Sequence, residues 1–425
     1  MKHEPGVKED AKNLSVIAGS AAVAALATIA LLAANSNAAP EPIVVREIQP
    51  VIVEVAVEEP EPVVEVEVVE APLSGIDRLY GTVTTVHGVT ATGYLRWDKN
   101  EGSWSDLLDA TKPRARGGST ISGIRFGHID RLDVLGHDAA LLTLRSGDQV
   151  ELIGNATDLG NGLRALVIET PDRGTAQLGW QDLASVDFQS APDTPPAQHR
   201  MHGTVTTRSG LQFTGYVTWD VDEIYSTDIL DGDTDGTRME IPFGQIASIE
   251  RYASWGARVE LTGGESYVLE GTQDVDASIG GIEVSDPTLG AVKLEWESFD
   301  NVRFHPPASD VAAANFDGGQ LIRGTVVTED GASYTGEIVW DADEAFTWEM
   351  IQGDFEDIEF FVEFGQVDRI QKYDDGALLT LRDGRVLELY DSNDVDHGNR
   401  GIIIRTDGRE YEVQWRDFAE ASFTR

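Results

Sequence analysis

Carboxylates recur in this chain in a fixed phrase. Trp97-Asp98-Lys99-Asn100-Glu101, Trp219-Asp220-Val221-Asp222-Glu223 and Trp340-Asp341-Ala342-Asp343-Glu344 share the pattern W-D-x-[DN]-E. Oxygen side chains this closely spaced can collect a hard cation such as Ca2+, which takes about six to eight oxygens at about 2.4 Å. The candidate ligands are Asp220, Asp222 and Glu223 in one copy and Asp341, Asp343 and Glu344 in the next. The competing reading is a loop that closes a strand, with the Asp capping its own backbone. Nothing local supplies the remaining oxygens, which favours the loop.

A second acidic phrase, Asp231-Gly232-Asp233-Thr234-Asp235-Gly236, matches the first half of an EF-hand loop. There alternate carboxylates point inward and a glycine permits the sharp turn. The twelfth position, which should be a bidentate Glu, is Pro242, so an EF-hand is excluded. A surface Ca2+ loop built on Asp231, Asp233 and Asp235 stays open. A third phrase pairs Asp274 with Asp276 and Asp394 with Asp396, whereas the first copy offers only Asp158. Carboxylates two apart on a strand face one way, as general acid–base work requires, and such pairs point to a hydrolase. A feature present in every copy of a repeat more often builds the fold. The chain has no cysteine and no H-E-x-x-H, G-x-S-x-G, Walker or S-x-x-K motif. Gly160-Asn161-Gly162-Leu163-Arg164-Ala165 resembles a dinucleotide fingerprint, but it lacks the strand-then-helix context that such a loop needs.

The phrases sit in three copies of one unit. Gly81, Gly203 and Gly324 each open the same run, as in GTVTTRSGLQFTGYVTWDVDE. The modules are read as residues 77–188, 200–304 and 321–425, separated by linkers at 189–199 and 305–320 that carry Pro pairs and small polar residues. Within each, short runs such as Ala377-Leu378-Leu379-Thr380-Leu381 end at Asp-Gly or Ser-Gly pairs: Ser146-Gly147, Ser209-Gly210, Asp330-Gly331, Asp383-Gly384 and Asp407-Gly408. These pairs accept the positive φ of tight hairpin turns, so strands are predicted throughout. A single helical turn is allowed at Ile246–Ile249 or Trp415–Phe418. Each module also divides into related halves. The first ends as in Phe243-Gly244-Gln245-Ile246 and the second as in Trp296-Glu297-Ser298-Phe299. Trp340 and Trp415 are candidates for a core shared between halves.

A half holding four or five short strands has the scale of a small barrel. The apolar strand, Asp-Gly turn, T-G strand and late strand pair resemble SH3-like and Sm-like barrels. Phrases such as Asn393-Asp394-Val395-Asp396 and Asn399-Arg400-Gly401-Ile402 also resemble uncharacterised repeat domains of exported bacterial proteins. The resemblance implies an all-β fold of three tandem modules, each a pair of small barrels. The alternative is one larger barrel or sandwich per module. An Sm-like fold would imply RNA binding or ring assembly. With 74 acidic against 32 basic residues and a net charge of −42, nucleic acid and anionic membrane surfaces are excluded as partners.

Ahead of the modules, residues 1–38 hold Lys2, Lys8 and Lys12 and then an apolar run from Leu14 to Ala34. Its length suits a spanning anchor, while Ser36-Asn37-Ala38 suits a cleaved signal peptide. Either one exports the modules. Residues 39–76 are rich in Pro, Glu and Val and read as a disordered acidic spacer. The expectation is a non-enzymatic, envelope-anchored or exported scaffold, with modules in the periplasm or outside and no catalytic residues. Its partner is a protein or cell-envelope polymer. A Ca2+-dependent adhesion or matrix module is the alternative, and a hydrolase the third.

Overall fold

The computed structural model describes residues 75–113, 119–154, 158–171, 174–192 and 198–424. The apolar N-terminal segment and all but the end of the acidic spacer lie outside them. Among the described residues no helix is long and apolar enough to cross a membrane. The regular structure of the described residues is strand plus single turns of 3-10 helix.

Module one supplies β1 (Tyr80–Thr85), β2 (Thr90–Arg96), β3 (Leu107–Pro113), β4 (Ser119–Arg125), β5 (Ile129–Val134), β6 (Ala139–Leu144), β7 (Gln149–Ile153), β8 (Leu166–Thr170), β9 (Gly174–Leu178) and β10 (Leu183–Phe188). Module two repeats the set from β11 (His202–Thr207) to β20 (Phe299–Phe304), and module three from β21 (Arg323–Thr328) to β30 (Phe418–Phe423). The predicted Asp-Gly and Ser-Gly turns fall between paired strands, with φ of 84° at Gly331 and 93° at Gly384. The helical turn at Trp415–Asp417 falls where expected; Ile246–Ile249 instead opens the strand Ile246–Ala253, and the turn precedes it at Phe243–Gln245.

In space the ten strands of module one run β4-β3-β7-β6-β5-β10-β1-β2-β8-β9, all antiparallel, and module two repeats the order. The two sequence halves are therefore interleaved. The first two strands of each half lie between the third and fifth strands of the other. Each five-strand group is thus built from both halves, and the centre is stitched by β5 against β10, with Val186 opposite Leu132. Neither half can complete its own sheet, so neither buries its apolar face alone.

The motif glycines have a structural cause. Gly203 on β11 faces Gly215 on β12 (Gln212–Trp219), and the backbones of the flanking strands crowd both. A Cβ on Gly203 would lie 2.5 Å from the Arg303 carbonyl oxygen, and one on Gly215 2.3 Å from that of Ser285. Gly324 and Gly336 repeat the arrangement at 2.1 and 2.2 Å from Ser422 and Arg405. Gly215→Ala must push backbone apart. It is expected to lower stability by about 1–3 kcal/mol, read as a fall in the urea midpoint.

The modules are not beads on spacers. In module three, β24 (Ile358–Glu363) pairs antiparallel with β19 (Gly290–Leu294) of module two, from Gly290 opposite Val362 to Leu294 opposite Ile358. Modules two and three share one apolar core, in which Phe213 meets Phe360 at 5.6 Å. The 305–320 linker is a strap: its Phe316 ring packs on His128 of module one at 5.1 Å, over Gly127, where a side chain would collide with the ring. Arg78 of module one, fully buried, donates to the Tyr225 hydroxyl of module two at 2.8 Å and lies over its ring at 4.3 Å.

Candidate functional site

The W-D-x-[DN]-E phrase closes a strand. Asp220 and Val221 take φ of 47° and 62°, and Asp341 and Ala342 take 44° and 65°. The Asp222 amide bonds back to the Trp219 carbonyl at 3.3 Å, and the Trp219 amide donates to the Glu223 carbonyl at 2.8 Å. This is a tight turn with two left-handed residues, where Asp and Asn are tolerated better than most side chains. The carboxylate does not cap its own loop. Asp98, Asp220 and Asp341 accept the backbone N–H of Arg164, Gly280 and Arg400, from loops of the second half. The guanidinium of Arg164 adds a second bond to Asp98 at 2.9 Å, and that of Arg400 bonds Asp341 and Asp343. Module two has Gly280 at this place and no guanidinium.

The second-half Asp completes the arrangement. Trp97, Trp219 and Trp340, all fully buried, each donate Nε1 to a carbonyl 2.8 Å away, that of Asp158, Asp274 or Asp394. Each of these Asp side chains accepts a backbone N–H of the third strand: Asp109 at 2.6 Å, Asp231 at 2.7 Å and Gln352 at 2.8 Å. The indoles are therefore core groups that tie the strand end to the other half. Trp340 stands edge-on to Trp415 at 6.3 Å, the shared core that the sequence suggested.

Two sets of carboxylates converge. Among the described residues, ligand oxygens of Asp220, Glu223 and Asp274 lie within 4.8 Å of one another, and so do those of Asp341, Glu344 and Asp394. Glu101, Glu223 and Glu344 hold one position in the three modules, and in each the Oε2 atom is buried without a hydrogen-bond partner. Burial, with Asp222, Asp274 and Asp220 adding repulsion, pushes the Glu223 carboxyl up to about 9. Burial raises Glu101 and Glu344 well above the usual carboxylate range and takes Asp274 up to about 6. Asp222 and Asp343 face bases instead: Asp222, on the surface, lies 4.0 Å from Arg164 of module one, and the buried Asp343 carboxylate meets Arg400. Asp231, Asp233 and Asp235 are strung along a hairpin, β13 (Ile229–Thr234) against β14 (Thr237–Pro242), with Asp235-Gly236 as its turn. They do not surround one point, and Asp231 pairs with Arg238 at 2.9 Å.

Sequence reading missed a repeated acid five residues after the motif Glu: Asp106, Asp228 and Glu349. One oxygen of each accepts two backbone N–H groups; for Asp228 these come from Ile224 at 2.8 Å and Tyr225 at 2.9 Å. The carboxylate also meets a base from another module. Asp106 pairs with Arg200 of module two, Asp228 with Arg96 of module one and Glu349 with Lys112 of module one. The fixed spacing was the available signal.

At the junction of the three modules lies a cavity of about 660 Å3, lined by seven carboxylates, among them Asp109, Glu283, Asp354 and Glu359, and by two bases, Arg164 and Lys293. Lys293 Nζ is held 3.2 Å from Asp109 and 3.5 Å from Glu283, over the Phe361 ring at 4.8 Å. Glu283 above all, then Asp109, keeps this ammonium charged well beyond its ordinary range, against the effect of burial. No family model, curated protein or solved structure matches the chain.

Proposed function

We propose that the chain is a non-enzymatic, exported scaffold whose three modules act as one platform and present the junction cavity to a partner carrying basic groups. One observation carries this reading. The tryptophans common to the copies serve the fold, whereas the cavity is lined by residues drawn from all three modules. Its carboxylates already grip one ammonium, that of Lys293, between two acids and an aromatic face. That is the chemistry that would take a second Lys or Arg from a protein partner.

On this reading the apolar N-terminal segment places the platform outside the cytoplasm and the acidic spacer sets its distance from the membrane. Each five-strand group is a small SH3-like or Sm-like barrel. The order β10-β1-β2-β8-β9, with a 3-10 turn at Trp180–Asp182 ahead of the last strand, supports that assignment.

Calorimetric titration of the full chain with a Lys-rich peptide tests the cavity, with a Glu-rich peptide of equal length as control. Heat is expected only with the basic peptide, and Glu359→Gln together with Asp354→Asn should weaken binding. Equal heats from the double variant and the parent would reject the cavity as the contact.

A further inference from the structure

We infer that Asp220, Glu223 and Asp274 hold a hard divalent cation of the Ca2+ class, and that Asp341, Glu344 and Asp394 hold a second one less tightly. The inference does not depend on the junction cavity or on its partner.

Geometry comes first. Two oxygens bound to one Ca2+ at about 2.4 Å stand at most about 4.8 Å apart. The three ligand oxygens of each set lie within 4.8 Å of one another, so each set meets that condition. Ligands that come from two loops more than fifty residues apart are fixed by the fold before any ion arrives. Asp220 accepts the Gly280 amide and the Gln273 side chain, and Asp274 accepts the Asp231 amide. These bonds hold the two Asp groups in place and leave lone pairs free.

The second observation is the orphaned oxygen. Glu344 is 7% exposed and Glu101 4% exposed, and each buries Oε2 with no hydrogen-bond partner. Glu223, half-buried as a residue, repeats the buried and unpartnered Oε2 in module two. A buried carboxylate oxygen without a donor is costly, and an all-oxygen cluster facing it is the environment in which a hard cation supplies what is missing.

The modules differ in what already neutralises the cluster. Arg164 and Arg400 place a guanidinium on Asp98 and Asp341. In module two the residue is Gly280, and among the described residues no ion pair involves Asp220, Glu223 or Asp274. Three carboxylates brought together with no base in ion-pair contact suit a cation from solution. Module three keeps Arg400 on Asp341, so an ion there shares that ligand and binds more weakly. Donors that are all oxygen, with no His or Cys, suit Ca2+ rather than zinc or copper.

The test uses the full chain in detergent, stripped with a chelator and titrated with CaCl2. Two ions per chain are expected, with a melting temperature that climbs with the logarithm of Ca2+ concentration. Glu223→Gln should remove the tighter ion and Glu344→Gln the weaker, while Glu265→Gln on the exposed surface leaves both. Since the indole of Trp219 is bonded to the Asp274 carbonyl at 2.8 Å, Tb3+ at the site should emit under tryptophan excitation and be displaced by Ca2+. That measurement needs no variant. Absence of both heat and Ca2+-displaceable emission at millimolar ion would overturn the inference, as would an unchanged response when Glu223→Gln and Glu344→Gln are combined in one chain.

Discussion

Arg200→Ala is expected to destabilise the folded chain by about 3–5 kcal/mol, because it strands a buried carboxylate rather than merely removing a contact. Arg200 is the base that module two sends into module one. Its Nε and Nη2 bond the two oxygens of Asp106, each at 3.1 Å, and it also donates to Thr218 at 2.8 Å and to the Ile224 carbonyl at 3.2 Å. Asp106 is 2% exposed and Arg200 5% exposed, so solvent screens neither. Without the guanidinium, Asp106 keeps the amides of Gly102 and Ser103 and the Ser285 hydroxyl, but it has lost its counter-charge. Asp106→Asn in the same chain should recover part of the loss. Arg405→Ala is the comparison: its pair with Glu410 is half exposed, and its removal should cost less than about 1 kcal/mol. Guanidinium unfolding of the four proteins reads all these values. Equal midpoints for Arg200→Ala and Arg405→Ala would mean that the inter-module pair does not hold the modules together.

Trp340→Ala is expected to cost about 3–5 kcal/mol, the usual range for emptying a large aromatic site. The ring is fully buried and touches Phe364, Trp415, Phe418 and Phe423 at centroid distances between 5.4 and 6.2–6.3 Å. Trp340→Phe keeps much of that packing but leaves the Asp394 carbonyl without its donor, a loss of about 1–3 kcal/mol. Circular dichroism is the right probe, since the substitution removes a fluorophore. A tryptophan kept for stacking a ligand would behave otherwise, with near-parental stability after truncation, and that outcome would reopen a binding role for these rings.

The order of these costs reflects the separate duties of the motif residues. The W-D-x-[DN]-E phrase holds a core indole, a carboxylate that reaches the other half, and a Glu whose Oε2 has no partner. The first serves the fold alone, the second ties the halves together and keeps lone pairs for the proposed ion, and the third has an oxygen with no other partner. That is why the phrase reads as fold in its first position and, on the proposed assignment, as chemistry in its second and fifth.

Much of this was legible in the sequence alone. The three copies, the strand character and the hairpin turns at Asp330-Gly331, Asp383-Gly384 and Asp407-Gly408 arise from backbone preferences acting over a few residues. Asp220, Glu223, Asp341 and Glu344 stood out because they recur. Asp231, Asp233 and Asp235 stood out equally, yet they lie along a hairpin, because alternate positions of a strand spread side chains along a line instead of gathering them. What tertiary structure alone decided is which distant groups meet. No local signal states that Asp274 will face Asp220 and Glu223, that the halves exchange their first two strands, or that Arg200 will cross into module one to find Asp106. Those outcomes depend on burying apolar faces that no half can cover by itself, and burial then selects which charges must be neutralised and by what.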